Sequence, residues 1–153
     1  MHVRILAVGR VRDSRIAALC DDFLQRLRPY HRVEIVEVRA STRTDALAAV
    51  DDEARALARA LRDDEQVWLL ERSGEELTSE ELAARLQALA VGGTSRVAFV
   101  VAGTYGAGPA LLALADVRWS LSRLTFLHEW ARALVLEQLY RATKIAQNEP
   151  YHH

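Results

Sequence analysis

Five short, apolar-rich runs recur along the chain, at residues 3–8, 33–38, 67–70, 97–101 and 117–121, and each is parted from the next by a stretch of helical spacing. Strands apolar on both faces have no side to turn to water, so they belong to largely parallel sheets with helices on the faces. The alternation predicts an α/β domain with a largely parallel sheet flanked by helices, and residues 1–153 form one such domain.

The helical stretches carry their own punctuation. Asp13 or Ser14 is placed to cap a helix with the apolar stripe Ile16, Leu19, Phe23, Leu24 and Leu27, and Pro29 stops it. A second helix runs from Thr44 or Asp45 to Asp63. Thr78 stands three residues ahead of Glu81, a capping-box spacing, for a helix through Ala90 that Gly92-Gly93 ends. A short helix starts near Pro109, and a long one runs from His128 to Gln147 with Val135, Leu139, Ala142 and Ala146 on one stripe. Ser73-Gly74 reads as a loop.

Half of the residues are apolar and three are Pro, which excludes disordered and fibrous classes. A domain of 153 residues buries roughly 70% of its unfolded surface and needs no staple. Cys20, flanked by Leu19 and Phe23, reads as a small buried hydrophobe. No run approaches the eighteen or so apolar residues of a membrane span, and the first residues read as a strand rather than a signal peptide, so a cytoplasmic location is expected. The formal charge of −1 argues against indiscriminate binding to nucleic acid, but the charge is unevenly spread. Residues 1–43 carry nine Arg against five acids, residues 44–117 six Arg against thirteen acids, and residues 118–153 five cations against three acids. If both ends share a face, that face can approach phosphate; an ordinary solvated surface is the alternative.

Ligands of parallel α/β sheets sit beyond the carboxyl ends of the strands, here the loops after Leu70, Val101 and Leu121. The second loop holds Gly103, Gly106 and Gly108, which let backbone N–H groups approach a ligand; the G-x-x-G-x-G spacing is neither a dinucleotide fingerprint nor a Walker motif. The third is a long mixed segment ahead of the last helix. His128 opens that helix and Arg132 lies one turn on, as a common anion site or simply a helix start with an exposed Arg. Glu137 and Arg141 have the spacing of a surface ion pair. The tail, Asn148 to His153, is either a fraying end or an aromatic ring beside an imidazole suited to stacking a base and handling its proton. No Cys or third His has metal-ligand spacing, and no metal is expected.

These residues resemble the RlmH family, SPOUT-class methyltransferases that act on N3 of a pseudouridine in helix 69 of 23S rRNA. The resemblance spans nearly the whole chain: Leu6-Ala-Val-Gly9, Leu70, Val100-Val-Ala-Gly103, Trp119-Ser-Leu-Ser, Thr125, His128, Arg132, Glu137-Gln-Leu-Tyr-Arg-Ala142, Lys144-Ile145 and Pro150-Tyr-His152. It implies a C-terminal trefoil knot, S-adenosyl-L-methionine (SAM) as methyl donor, and a cytoplasmic homodimer that acts on RNA of the 50S subunit or 70S ribosome, not on DNA or at a membrane. By position it assigns Leu70, Gly103, Gly106, Ser122, Arg123, Leu124, Thr125, Phe126 and Leu127 to the cofactor, His128 and Arg132 to substrate binding, and Arg141, Tyr151 and His152 to catalysis. The chain departs from the family pattern at 102–106, at Leu127 in place of Pro, and at His153 in place of Lys or Arg. Another SPOUT activity, on tRNA, and a catalytically silent SAM- or nucleotide-binding module on the ribosome are the alternatives.

Overall fold

A computed structural model describes all of residues 1–153. In chain order the elements are β1 (His2–Val8), α1 (Ser14–Leu27), β2 (Arg32–Val38), α2 (Ala46–Ala60), β3 (Gln66–Glu76), α3 (Ser79–Val91), β4 (Arg96–Val101), α4 (Gly108–Leu114), β5 (Val117–Ser120) and α5 (His128–Ala146). The five strands form one sheet, all pairs parallel, in the order β2-β1-β4-β3-β5. Its two faces are both buried, which is why the central strands are apolar at consecutive positions. Val3, Ile5 and Ala7 of β1 pack with Ile16, Cys20, Leu82 and Leu136 beneath α1, α3 and α5. Leu6 and Val8 point the other way, to Ala54, Leu57 and Leu111 of α2 and α4. Trp68, Phe99 and Trp119 pack edge to face at centroid distances of 5.6, 6.0 and 5.7 Å under the carboxyl half of the sheet. Cys20 is buried, and burial pushes its thiol above its ordinary pKa, as suits a packing residue.

The caps follow the sequence. Asp13 accepts from Arg15 N, Asp45 from Ala48 N, and Thr78 and Glu81 close a reciprocal capping box. Four elements differ from expectation, the first being α2, which ends at Ala60 rather than Asp63. Ser73-Gly74 is not a loop but part of β3, which continues past an irregularity between Leu70 and Glu75 to pair again with β5. Gly74 is required there, because a Cβ would lie 2.6 Å from the Arg118 carbonyl oxygen. β5 ends at Ser120, which releases Leu121, and Ala146 is exposed at the end of α5 while Arg132 takes a place on its buried face.

The amino ends of the strands are tied by an ion pair. Arg4 donates to Glu65 (2.7 Å to Oε2) and to Ala60 O at 2.6 Å, and both side chains are buried. Burial raises the Glu65 pKa, but the hydrogen bonds from Arg4 and from Arg62 N outweigh it and leave the carboxyl below its ordinary value. At the carboxyl ends, residues 121–127 lead from β5 at the sheet edge back to α5. Glu129 of α5 accepts from the backbone of Arg12 and Asp13, beside β1. That return across the strand ends is compatible with the expected knot.

Candidate cofactor pocket and substrate wall

Three loops and the start of α5 enclose a cavity of about 580 Å3 beyond the carboxyl ends of β3, β4 and β5. Leu70, Gly103, Gly106, Ser122, Leu124, Thr125, Phe126, Leu127 and His128 all line it. The loop after β4 makes a tight turn, with Gly106 N donating to Gly103 O at 3.1 Å. Gly106 has φ +91°, a conformation L side chains rarely adopt. At Gly103 the constraint is space: a Cβ would sit 2.4 Å from Oε1 of Glu53, a buried α2 carboxylate whose other oxygen accepts from Ser41 N at 2.9 Å.

The loop after β5 is fastened at both ends. Ser120 Oγ lies 2.8 Å from Arg72 O and 3.0 Å from Ser122 O, Leu124 N donates to Ser122 Oγ at 3.0 Å, and Arg72 Nη1 donates to Thr125 Oγ1 at 2.8 Å. Leu127 precedes α5 without a side-chain cap, so the first N–H groups of that helix are open at the pocket. Arg72, Glu71, Thr104 and Ala107 also line the cavity and were not singled out from the sequence. Reading Ser73-Gly74 as a loop hid Arg72, since only the continuation of β3 turns it toward Thr125.

Two assigned residues lie elsewhere. Arg123 points to solvent, 3.7 Å from Glu76 and outside the cavity. Arg132 contradicts the expectation of an exposed anion-binding cation: it is 1% exposed, and its guanidinium donates to Glu37 (2.9 Å), Val8 O (2.9 Å) and Gly9 O (2.8 Å). The physical reason is the position of β1, whose last carbonyls, Val8 O and Gly9 O, lie where the guanidinium reaches them from α5 and satisfies them.

Arg141, Tyr151 and His152 come together around Glu137, in a cluster separate from the cavity walls. Glu137 Oε1 accepts from Arg141 (2.6 and 3.0 Å) and from the Tyr151 hydroxyl (3.0 Å), while Oε2 accepts from Gln138 at 2.7 Å. The Glu137–Arg141 side chains are 20% and 25% exposed, so this is no ordinary surface pair. The Arg141 guanidinium lies 4.8 Å from the centroid of the Tyr151 ring, and Tyr140 packs edge-on against that ring at 4.8 Å. Burial and then the Glu137 contact push the Tyr151 pKa up, so its hydroxyl stays protonated and acts as a donor. Arg141 Nη1 is 3.2 Å from His152 Nδ1; arginine can only donate, so Nδ1 accepts and Nε2 faces Glu80 Oε1 at 2.8 Å. Gln138 joins the two regions: it lines a smaller cavity of about 230 Å3 shared with Trp119, Leu121 and Phe126 of the main pocket. No group of His, Cys, Asp and Glu able to hold a metal is present.

Comparison with known proteins gives the family of the chain. Residues 1–152 match the family model described as "Predicted SPOUT methyltransferase". Proteins named ribosomal RNA large subunit methyltransferase H are 42% identical in Moorella thermoacetica, with 99% of each chain covered, and 46% identical in Rubrobacter xylanophilus, with 97% of this chain and 96% of that one covered. The one from Gloeobacter violaceus is 40% identical over all of this chain and 99% of its own. A five-stranded parallel sheet with its ligand-sized pocket at the carboxyl ends, matched over nearly its whole length, places this chain in the SPOUT methyltransferase family.

Proposed function

We propose that the protein transfers a methyl group from SAM to N3 of a pseudouridine in helix 69 of 23S rRNA, on the 50S subunit or 70S ribosome. The observation that carries the reading is the joint presence of the pocket at Gly103 and residues 121–128 and the Glu137-centred wall beside it. The pocket suits a nucleoside cofactor. Its volume is in the range of small-molecule sites; Leu70, Leu121 and Phe126 offer an apolar slot, and the tight turn from Gly103 to Gly106 brings backbone to the cavity wall. The uncapped start of α5 favours a carboxylate through its free N–H groups and positive dipole end.

When bound, the sulfonium supplies an activated methyl and its own leaving group. The chain must align a nucleophilic nitrogen with it, and such alignment contributes roughly 7 to 11 kcal/mol. Tyr151, fixed between Tyr140 and Arg141, provides the surface on which a base stacks. Arg141 is placed to stabilise the negative charge that the base acquires on losing its N3 proton. His152 receives that proton only after Arg141 leaves Nδ1 and turns to the substrate. Leu124 and Leu127 at the pocket and Trp130 in the first turn of α5 are 70%, 68% and 43% exposed, a surface that a second copy of the chain in a cytoplasmic homodimer would cover.

The test is a methylation assay with purified 70S particles, 50S subunits and tRNA, with the product base identified by mass spectrometry and SAM binding followed by calorimetry. Methylpseudouridine from 70S or 50S is the expected product. Product on tRNA alone would make this a different SPOUT enzyme, and absence of SAM binding would leave a silent ribosome-associated module. Unchanged single-turnover rates in both His152→Ala and Arg141→Ala would sink the residue assignments.

A further inference from the structure

A second, broader cleft of about 800 Å3 opens at the amino ends of β1, β2 and β4, at the opposite end of the sheet from the pocket, and its walls are basic: His2, Arg28, His31, Arg32 and Arg96. Two of its rim side chains have partners, His2 with Glu34 at 2.9 Å and Arg96 with Asp64 at 2.6 Å. Arg28 and Arg32 differ, for both are exposed and neither guanidinium has an ion-pair or hydrogen-bond partner in the chain. Two unpaired guanidinium groups at the lip of an open cleft offer bidentate geometry for phosphate.

The cleft also continues into the substrate wall. Tyr30 lines it; its hydroxyl donates to Glu149 at 3.0 Å and lies 2.9 Å from Lys144 Nζ. Lys144 Nζ sits 5.1 Å from the Tyr30 ring centroid and 5.5 Å from that of Tyr140, and Tyr140 packs against Tyr151. Arg26 lies 5.8 Å from the Tyr140 ring on the same side. A ridge of aromatic rings, in which Lys144 is paired with Glu149 and Arg26 with Asp22, therefore runs from Tyr151 toward Arg28 and Arg32, whose unpaired charge beside those rings is the combination that follows a single strand.

We propose that this cleft is a second RNA contact, in which Arg28 and Arg32 bind backbone phosphates of the strand that leaves the catalytic tail. The inference rests on the RNA reading above and adds a distant anchor to it. An open, elongated cleft fits a polymer; a free anion would be held in an enclosed cage.

The experiment compares the wild-type protein with the double variants Arg28→Ala/Arg32→Ala and Arg28→Glu/Arg32→Glu. A fluorescein-labelled helix 69 RNA hairpin is titrated over a range of salt, and KM and kcat are measured on 70S particles. Each lost phosphate contact lowers the slope of log K against log salt by roughly 0.7 to 0.9, so the alanine pair is expected to reduce it by roughly 1.4 to 1.8. KM rises, more in the glutamate pair, while kcat and SAM affinity stay at wild-type values, since neither residue touches the pocket. An unchanged slope and KM would overturn the proposal. So would calorimetric binding of inorganic phosphate that the variants abolish with no change in the RNA slope, which would make the cleft a free-anion site. Loss of SAM binding by the wild-type protein is a separate outcome and would count against the cofactor reading alone.

Discussion

Replacing Arg132 by Met removes a buried tether and very little volume, and it separates two roles that give opposite signatures. The guanidinium makes three hydrogen bonds at 2.8 to 2.9 Å. The one to Glu37 counts least, because that side chain is 42% exposed and water screens the pair to about 0–1 kcal/mol. The two to Val8 O and Gly9 O are charge-assisted and close the carboxyl end of β1 against α5, at about 1.5–3 kcal/mol each. These contributions sum to about 3–7 kcal/mol, and because the substitution removes the charge itself and leaves only carbonyl oxygens unpaired, the loss expected lies in the lower part of that range, about 3–5 kcal/mol. At about 2–4 °C per kcal/mol for a domain of this size, the melting temperature falls by roughly 6 to 20 °C. Urea unfolding and calorimetry at fixed pH measure the loss, with SAM affinity and KM for 70S particles alongside. A melting temperature within a degree of wild type together with a raised KM would refute the tether and restore Arg132 to the RNA-binding surface.

Gly103→Ala drives a methyl group onto Glu53 Oε1, a buried carboxylate held by Ser41 N, so the loop after β4 shifts and both the urea midpoint and SAM affinity fall; calorimetry with SAM checks it, and unaltered affinity would remove Gly103 from the pocket wall. Gly74→Ala meets a backbone carbonyl that cannot swing away, so the β3–β5 pairing past Leu70 is lost and stability drops by about 2–3 kcal/mol, seen in the urea midpoint. Acid lowers stability in two stages. Burial, with the nearby terminal amine, holds the His31 pKa below its ordinary 6.5, so the unfolded chain takes up a proton first and stability declines as pH falls below 6.5. Glu65, held below 4.5, stabilises the fold above that pH and loses its contribution as pH falls through its lowered value. A urea midpoint that stays level from pH 7 to well below 6, or a His31→Gln variant that keeps the upper stage, would contradict the assignment.

What the sequence reveals here is what local chemistry encodes. Alternating apolar runs give the strands and the buried faces, and Thr78 with Glu81 states a helix start without any tertiary help. What it hides depends on groups distant in the chain. Ser73-Gly74 has the composition of a loop, yet its glycine is there to let β3 pass the Arg118 carbonyl. Arg132 looks like any exposed cation in the first turns of a helix, because its partners lie more than a hundred residues earlier at Val8 and Gly9. The Glu137–Arg141 spacing is that of a surface pair until Tyr151 and Gln138 close over it. The residues that the resemblance assigned to the cofactor line the cavity beyond β3, β4 and β5 except Arg123, while Arg72 was out of sight until the length of β3 was known.

The C-terminal tail is fastened unevenly. Tyr151 is held on three sides, by Tyr140, Arg141 and Glu137, whereas His152 meets α3 only through Glu80, whose side chain is 63% exposed. Water competes for that outer contact and hardly at all for the inner ones, so the tail peels from its tip. Once Glu80 lets go, His152 is held through Arg141 alone while the tyrosine stays at its post. With the roles proposed above, the stacking surface would be set before the proton-handling group is released, an order that follows from the burial of two neighbouring residues.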